Sequence, residues 1–164
     1  TILSQGLTFI HAGEELLRYK QNEDGSVNHN SYNSSDFVNQ LKWSDKETHG
    51  NIFEYYKGLF SIKKNYPHIG LATTKEIAES FHYFDTPNGT IGYVILKDSI
   101  PMIVLINGSP ENQIISIPTD LLAGKTTFNL IANGDVAGID TIETTDNLSQ
   151  VTVSPHAANV WVGA

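Results

Sequence analysis

The feature that most constrains the fold is a series of short β-rich runs that fills the chain after residue 69. Turn signals separate these runs, such as Pro-Asn-Gly at 87–89, Asn-Gly at 107–108 and Asn-Gly at 133–134. A spacing of about ten residues between such turns is typical of an antiparallel β-sandwich. We expect strands at residues 81–84, 91–97, 102–107, 113–118, 126–131, 150–154 and 157–162.

The first 69 residues have a different pattern. Residues 51–65 place apolar side chains at helical spacing, and Tyr66-Pro67 ends the pattern because the residue before proline disfavours helix. Residues 7–10 form a short apolar run compatible with a buried strand, and residues 21–35 form a long polar loop. These elements bury too little surface to fold alone. We therefore predict a boundary near residue 69, with residues 1–69 and 70–164 as separate domains.

Composition argues against several classes of function. The net charge is −8, and residues 70–164 hold ten acidic and three basic side chains, so nucleic-acid binding is not expected. No apolar run reaches the roughly 18 residues of a membrane helix, so no membrane partner is expected. Cysteine is absent, and His11 and His29 lack metal-ligand spacing, so we expect no metal site. Cytoplasmic and secreted locations are both compatible with the sequence.

Two stretches of the first 69 residues resemble a known enzyme family. Residues 6–15, followed by Leu17-Arg18, resemble the eighth-strand segment of glycoside hydrolase family 13, with Thr8 where proline is usual. Residues 29–43 resemble the next loop of type I pullulanases, with Asn-Ser-Tyr at 30–32, Asp36, Asn39 and Trp43 in the family's order. The helix that ends before Tyr66-Pro67 is similar to the eighth barrel helix of the same family.

The resemblance implies a mainly β chain in two parts. Residues 1–69 would be the last strand–loop–helix unit of a (β/α)₈ barrel, and residues 70–164 an antiparallel β-sandwich of the domain C type. The parent enzyme would cleave α-1,6 links in pullulan and branched α-glucans by a retaining mechanism without a cofactor. Its partners would be the α-glucan and the upstream barrel of the same polypeptide. Without that barrel, Leu7, Phe9 and Ile10 would form an exposed apolar edge that favours self-association.

Retaining hydrolysis needs two carboxyl groups about 5–5.5 Å apart. In the resembled family these residues follow earlier barrel strands, which would lie upstream of Thr1, so we expect no catalytic residue in this chain. Glu14 and Glu15 are a poor substitute because consecutive side chains do not face each other on a helix or a strand. We expect one of them to brace the end of the strand and the other to face solvent.

The resemblance also implies sugar-binding residues in the loop at 29–43. Asp36 is the first candidate, with Asn39 and Tyr32 as further substrate-binding residues. In related enzymes an arginine that works beside the aspartate would fall at Gln40. Structural alternatives remain open, since Asp36 suits a helix or turn cap and Tyr32 suits packing.

Three functions are therefore compatible with the sequence. The chain is part of a debranching hydrolase and inactive alone, or its sandwich binds α-glucan by itself, or the sandwich only supports the barrel. Most aromatic residues after residue 69 fall inside β-runs, where core packing explains them. We therefore rank structural support above autonomous binding.

Overall fold

The computed structural model describes all 164 residues, Thr1 to Ala164, and they form two compact units. We call Phe9–Tyr56 the loop unit, and Thr1–Thr8 together with Lys57–Ala164 the sheet unit. The boundary predicted near residue 69 stays a prediction, because it concerns the domains of a parent protein rather than these units.

The sheet unit confirms the mainly β, antiparallel architecture predicted from the sequence. A six-stranded sheet has the order β1-β2-β3-β8-β5-β6, and a second sheet pairs β4 with β7. Every predicted run coincides with one strand. The strands are β1 (Phe81–Phe84), β2 (Thr90–Lys97), β3 (Ile100–Asn107), β4 (Gln113–Ser116), β5 (Thr127–Ala132), β6 (Glu143–Asp146), β7 (Gln150–Val153) and β8 (Ala157–Gly163).

Strand β6 is the one strand that the sequence did not predict. Its sequence is Glu-Thr-Thr-Asp, without an apolar side chain, and most of it is exposed. It forms because β5 offers a free edge, against which Thr127 to Leu130 pair with Asp146 to Glu143. The pairing partner, rather than the local pattern, determines this strand.

The central strands of the six-stranded sheet are buried on both faces. Because successive side chains of a strand point to opposite faces, Ile103 packs into one apolar cluster and its neighbours Met102 and Val104 into another. The first cluster is covered by β4, β7 and the 3₁₀ turn Thr119–Leu122. The second includes Leu3, Ile62 and residues that follow the long helix. Central strands therefore have long apolar runs instead of an alternating pattern.

Four α-helices accompany the sheets: α1 (Asp36–Asn39), α2 (Asp45–Thr48), α3 (Gly50–Asn65) and α4 (Thr74–Ser80). Helix α3 confirms the prediction for residues 51–65, including its end before Tyr66-Pro67. Helix α4 begins with a capping box between Thr73 and Glu76, a local signal that is visible in the sequence. None of the helices combines the length and the apolar character needed to span a membrane.

The second half of α3 approaches its neighbour very closely at Gly58. A Cβ atom built at this position would lie 1.8 Å from the carbonyl oxygen of Ala137. Backbone therefore meets backbone, with no side chain between them, and only glycine fits.

The predicted buried strand at residues 7–10 is not formed. These residues have no regular structure, and Leu7 and Phe9 are 104% and 90% exposed. A strand requires hydrogen bonds to a neighbouring strand, and no segment of the chain pairs with this one. The apolar surface expected from the sequence is present, while the self-association inferred from it stays a prediction.

Side chains of the sheet unit hold the residues that precede this segment. The Lys63 ammonium donates hydrogen bonds to the carbonyl oxygens of Ile2, Ser4 and Gly6 at 3.3, 3.0 and 3.2 Å. The Tyr93 hydroxyl donates a buried hydrogen bond to the Leu3 carbonyl at 3.0 Å. Residues 2–6 are thus fixed through their backbone carbonyls. Partial burial lowers the pKa of Lys63, and burial in the core raises the pKa of Tyr93.

His68 is the one buried histidine, with 4% of its surface exposed. Its Nε2 lies 3.0 Å from the Ile100 carbonyl oxygen, and its Nδ1 has no partner. Burial lowers the pKa of His68; the Ile100 carbonyl and Asp98 oppose this effect, whereas Lys97 adds to it. The fold therefore favours the neutral imidazole.

This preference predicts a loss of stability in mild acid. Because the pKa of His68 is lower in the folded state, the unfolded chain binds the proton more readily. The free energy of unfolding should fall as the pH drops below about 6.5, the usual histidine value, and this contribution should be constant above it. Denaturant unfolding at about pH 7.5 and about pH 5.5 checks this, with His68→Gln expected to reduce the difference. His29→Gln, at an exposed position, should leave it unchanged; an undiminished difference in His68→Gln would contradict the prediction.

Candidate functional site

Hydrogen bonds between polar side chains order the loop that carries the predicted sugar-binding residues. The Lys20 ammonium donates to the Ser31 hydroxyl at 2.6 Å. The Asn28 carboxamide donates to Asn22 Oδ1 at 2.8 Å and to Ser34 Oγ at 3.1 Å. These bonds cross the loop, so its conformation depends on side-chain amides and hydroxyls more than on apolar packing.

Asn39 lies at the centre of this arrangement. Its Nδ2 donates to the backbone carbonyls of Ser31 and Ser34 at 2.9 and 3.0 Å. Both carbonyls flank the segment that contains Tyr32. The amide nitrogen of Asn39 is therefore used to fix the turn beside Tyr32, and its Oδ1 atom has no partner in the chain.

Tyr32 and Asp36 both present polar groups to solvent. Tyr32 is 95% exposed, so its ring is not a packing residue. Asp36 is the first residue of α1 and is exposed, and its carboxylate accepts no hydrogen bond from the chain. The structure thus shows Asp36 without a capping role. Tyr32, Asp36 and Asn39 lie on one short segment, with Asn39 supporting the turn next to Tyr32.

Further aromatic side chains are exposed nearby in the loop unit. Trp43 is 69% exposed and Tyr19 is 65% exposed. Tyr19 lines a recess of about 80 Å³ together with Arg18, Phe37 and Gln40. The Gln40 carboxamide donates to the Phe37 carbonyl at 3.0 Å, so it serves the local backbone. Sequence reasoning did not select Tyr19, which stands outside the matched motif.

Arg18 connects the two halves of the loop unit. Its guanidinium donates to the carbonyl of Ala12 at 3.1 Å and also to the carbonyl of Asn39. Gly13 makes this contact possible, because its φ is 97° and a Cβ atom there would lie 2.7 Å from Arg18 Cδ. The glycine of the Gly-Glu-Glu motif is therefore needed because the Arg18 side chain occupies the space of a Cβ atom.

Glu14 and Glu15 both brace the turn that precedes them. Glu14 Oε1 accepts a hydrogen bond from the His11 amide, and Glu15 Oε2 accepts one from the Gly13 amide, each at 3.1 Å. Glu15 braces the backbone and Glu14 is exposed, as expected of the pair, and Glu14 also bonds to the backbone. Burial and the negative charges of Glu14 and Glu15 raise the pKa of Tyr56. No group of three potential metal ligands is present.

Comparison with known proteins decides the relationship. No protein-family model matches the chain. It is 31% identical over 125 residues to the pullulanase of Bacillus subtilis strain 168, which covers 73% of this chain and 17% of that relative. The homologues of this chain are pullulanases. The resemblance to pullulanases predicted from the sequence is thereby confirmed.

Solved pullulanase structures extend this relationship to the fold. The pullulanase from Bacillus acidopullulyticus superposes with a TM-score of 0.84 at 23% identity, over 98% of this chain and 19% of that chain. The type I pullulanase from Bacillus subtilis strain 168, complexed with maltose, superposes with a TM-score of 0.79 at 25% identity, over 99% and 22%. The chain therefore spans about a fifth of the length of these pullulanases.

The role of Asn39 predicts a specific change in loop dynamics. Asn39→Ala removes both hydrogen bonds to the carbonyls of Ser31 and Ser34, each worth about 1 kcal/mol, so local opening should become about 30-fold easier. Hydrogen exchange of the Ser34 amide, which donates to the Ser31 carbonyl at 3.1 Å, measures this opening. Asn33→Ala is the matched control, because that side chain is exposed and makes no hydrogen bond. Equal exchange rates in the two variants would rule out the supporting role of Asn39.

Proposed function

We propose that this chain is the C-terminal part of a starch-debranching hydrolase that cleaves α-1,6-glucosidic links in pullulan and branched α-glucans. The observation that carries the proposal is the agreement with pullulanases, in sequence over 73% of the chain and in fold over 98–99% of it. In the parent, hydrolysis proceeds with retention, through one carboxylate nucleophile and one acid/base carboxyl group. Other parts of the parent polypeptide supply both groups.

The hydrogen bonds of Glu14 and Glu15 support the proposal that other parts of the parent supply the catalytic groups. Both carboxylates accept hydrogen bonds from backbone amides of the same turn, which suits a structural role. Retaining hydrolysis needs carboxyl groups that face each other across the scissile bond. We infer that this chain by itself has no hydrolytic activity.

The loop at residues 29–43 contributes to the sugar-binding rim of the parent. The exposed carboxylate of Asp36 is free to accept hydrogen bonds from glucose hydroxyls, and the exposed ring of Tyr32 is free to stack on the apolar face of a sugar. Asn39 holds the turn beside Tyr32, and its free Oδ1 is a further acceptor. The maltose complex of the type I pullulanase from Bacillus subtilis makes an α-glucan the natural ligand to test.

Residues 7–10 have a place in the same proposal. Their exposed side chains, Leu7 and Phe9, are apolar, and the backbone is unpaired. Beside the upstream barrel of the parent, these residues would pair as its last strand and bury both side chains. The sheet unit then supports the end of the barrel.

The inferred lack of hydrolytic activity gives the first test. Incubation of the chain with pullulan should produce no new reducing ends above a protein-free control, because the catalytic carboxyl groups are absent. Reducing-end formation over several hours, followed by chromatography of the products, measures this. Sustained release of maltotriose in proportion to protein concentration would contradict the proposal.

The rim residues give the second test. Tyr32→Ala and Asp36→Asn should each weaken the binding of a soluble malto-oligosaccharide to the loop about tenfold, since each removes one direct contact. Chemical-shift titration of the Tyr32–Asp36 backbone amides reports binding at this place. Tyr83→Ala is the matched control, because Tyr83 is also a highly exposed aromatic residue but lies on β1. The assignment fails if the three variants bind alike.

A further inference from the structure

The sheet unit contains an open cleft of about 520 Å³, which lies on one face of the six-stranded sheet. In the ladder between β5 and β6, Glu143 pairs with Leu130 and Thr145 pairs with Phe128. Leu130 and Phe128 belong to the first apolar cluster, so the side chains of Glu143 and Thr145 lie on the face of the sheet that carries this cluster and the cleft. Asn159 on β8 points to the same face, because it alternates with the residues of the opposite core. The cleft floor is therefore built from three adjacent strands.

The cleft exists because the covering sheet is narrow. Strand β7 packs over β3 and β8, and its second edge has no strand partner. Strands β5 and β6 extend beyond that edge, so their inner face is left open to solvent. The loop around Asp135 and the turn at Pro155 close the ends of the opening.

Two polar side chains without a partner point to a ligand. The Asn159 carboxamide borders the cleft and makes no hydrogen bond within the chain. The indole Nε1 of Trp161, which lines the same cleft, is buried without a partner. Buried polar groups are nearly always hydrogen-bonded, and an unsatisfied one costs about 1–3 kcal/mol. A molecule that enters the cleft can bond to the Asn159 carboxamide, and an acceptor that reaches Trp161 Nε1 would remove that cost.

The residues that line the cleft indicate the chemical class of the ligand. Asp135 and Glu143 supply carboxylate acceptors, while no lysine or arginine lines the cleft, which disfavours anions. Thr145 and Gln150 add groups that both donate and accept, and Leu148 gives part of an apolar floor. A pyranose ring has an apolar C–H face and hydroxyl groups around its edge, and it matches this arrangement. The volume lies within the range of about 300–1,000 Å³ that is usual for small-molecule sites.

We propose that this cleft binds a glucosyl unit of an α-glucan chain, with the Asn159 carboxamide hydrogen-bonded to its hydroxyl groups. The cleft lies in the sheet unit and is separate from the loop at residues 29–43. The choice of α-glucan as the ligand rests on the proposed function, whereas the site itself rests on the cleft and on the unpartnered polar groups of Asn159 and Trp161. The sheet unit then holds substrate as well as supporting the parent barrel.

The proposal is tested by titrating the full chain with maltotetraose while the backbone chemical shifts are monitored. Amides of β6, β7 and β8 that border the cleft should shift and saturate. Thr145→Val removes a hydroxyl from the cleft floor without a change of shape, and Asn159→Leu removes the buried amide; each should weaken this binding about tenfold. Thr144→Val is the matched control, because it makes the same change on the adjacent residue, whose side chain bonds to Asn129 on the other face.

The outcomes separate this proposal from the proposed function. A second site is supported if Thr145→Val weakens binding at the cleft while Thr144→Val and Tyr32→Ala leave it unchanged. Shifts confined to the Tyr32–Asp36 loop overturn the cleft proposal and leave the proposed function standing. Shifts confined to the cleft support this inference and count against the rim assignment. If Asn159→Leu does not fold, Thr145→Val on the exposed edge strand decides the question, and equal affinity of the two threonine variants overturns the proposal.

Discussion

The structure depends on one six-stranded sheet whose central strands are buried from both sides. Strands β3 and β8 lie in its centre, and their alternating side chains belong to two separate apolar clusters. Removal of a large side chain from either strand would therefore leave a cavity next to the shared backbone, and each such cavity costs several kcal/mol. Both covering layers, the β4–β7 sheet on one side and the end of α3 on the other, use this sheet as their support.

The loop unit is stabilised by a different interaction. Its conformation rests on amides, hydroxyls and one guanidinium that bond to backbone carbonyls, with Asn39 and Arg18 as the principal donors. Such bonds fix a loop without covering it, so Tyr32 and Asp36 remain free for a ligand. The cleft proposal extends the same reasoning to the sheet unit, where Asn159 is a donor and acceptor that the chain leaves unused. Under the two proposals, the chain contacts α-glucan at two places.

The sequence predicted those elements whose signal is local. The apolar run at residues 102–107 and the proline after α3 fixed a strand and a helix end within about two residues. The motif at 29–43 selected Asp36 and Tyr32, and both side chains are exposed. The sequence did not predict strand β6, and it indicated a strand at residues 7–10 that does not form. Both errors have the same cause, because a strand forms only where a neighbouring strand pairs with it, and local composition does not show which segments are neighbours. The same limit hid the cleft, because Glu143, Thr145 and Asn159 come together only through the register of the sheet.

The contact between Lys63 and the carbonyls of residues 2, 4 and 6 has a consequence for solution conditions. An ammonium group bound by three neutral oxygens resembles a cation in a chelate, and its partners have no proton to gain in acid. Unlike a bridge to a carboxylate, this interaction should persist through the acidic range. Added salt should also affect it little, because mobile ions screen two opposite charges more effectively than a charge and nearby dipoles. The first residues of the sheet unit are thus attached by a contact that acid and added salt do little to release.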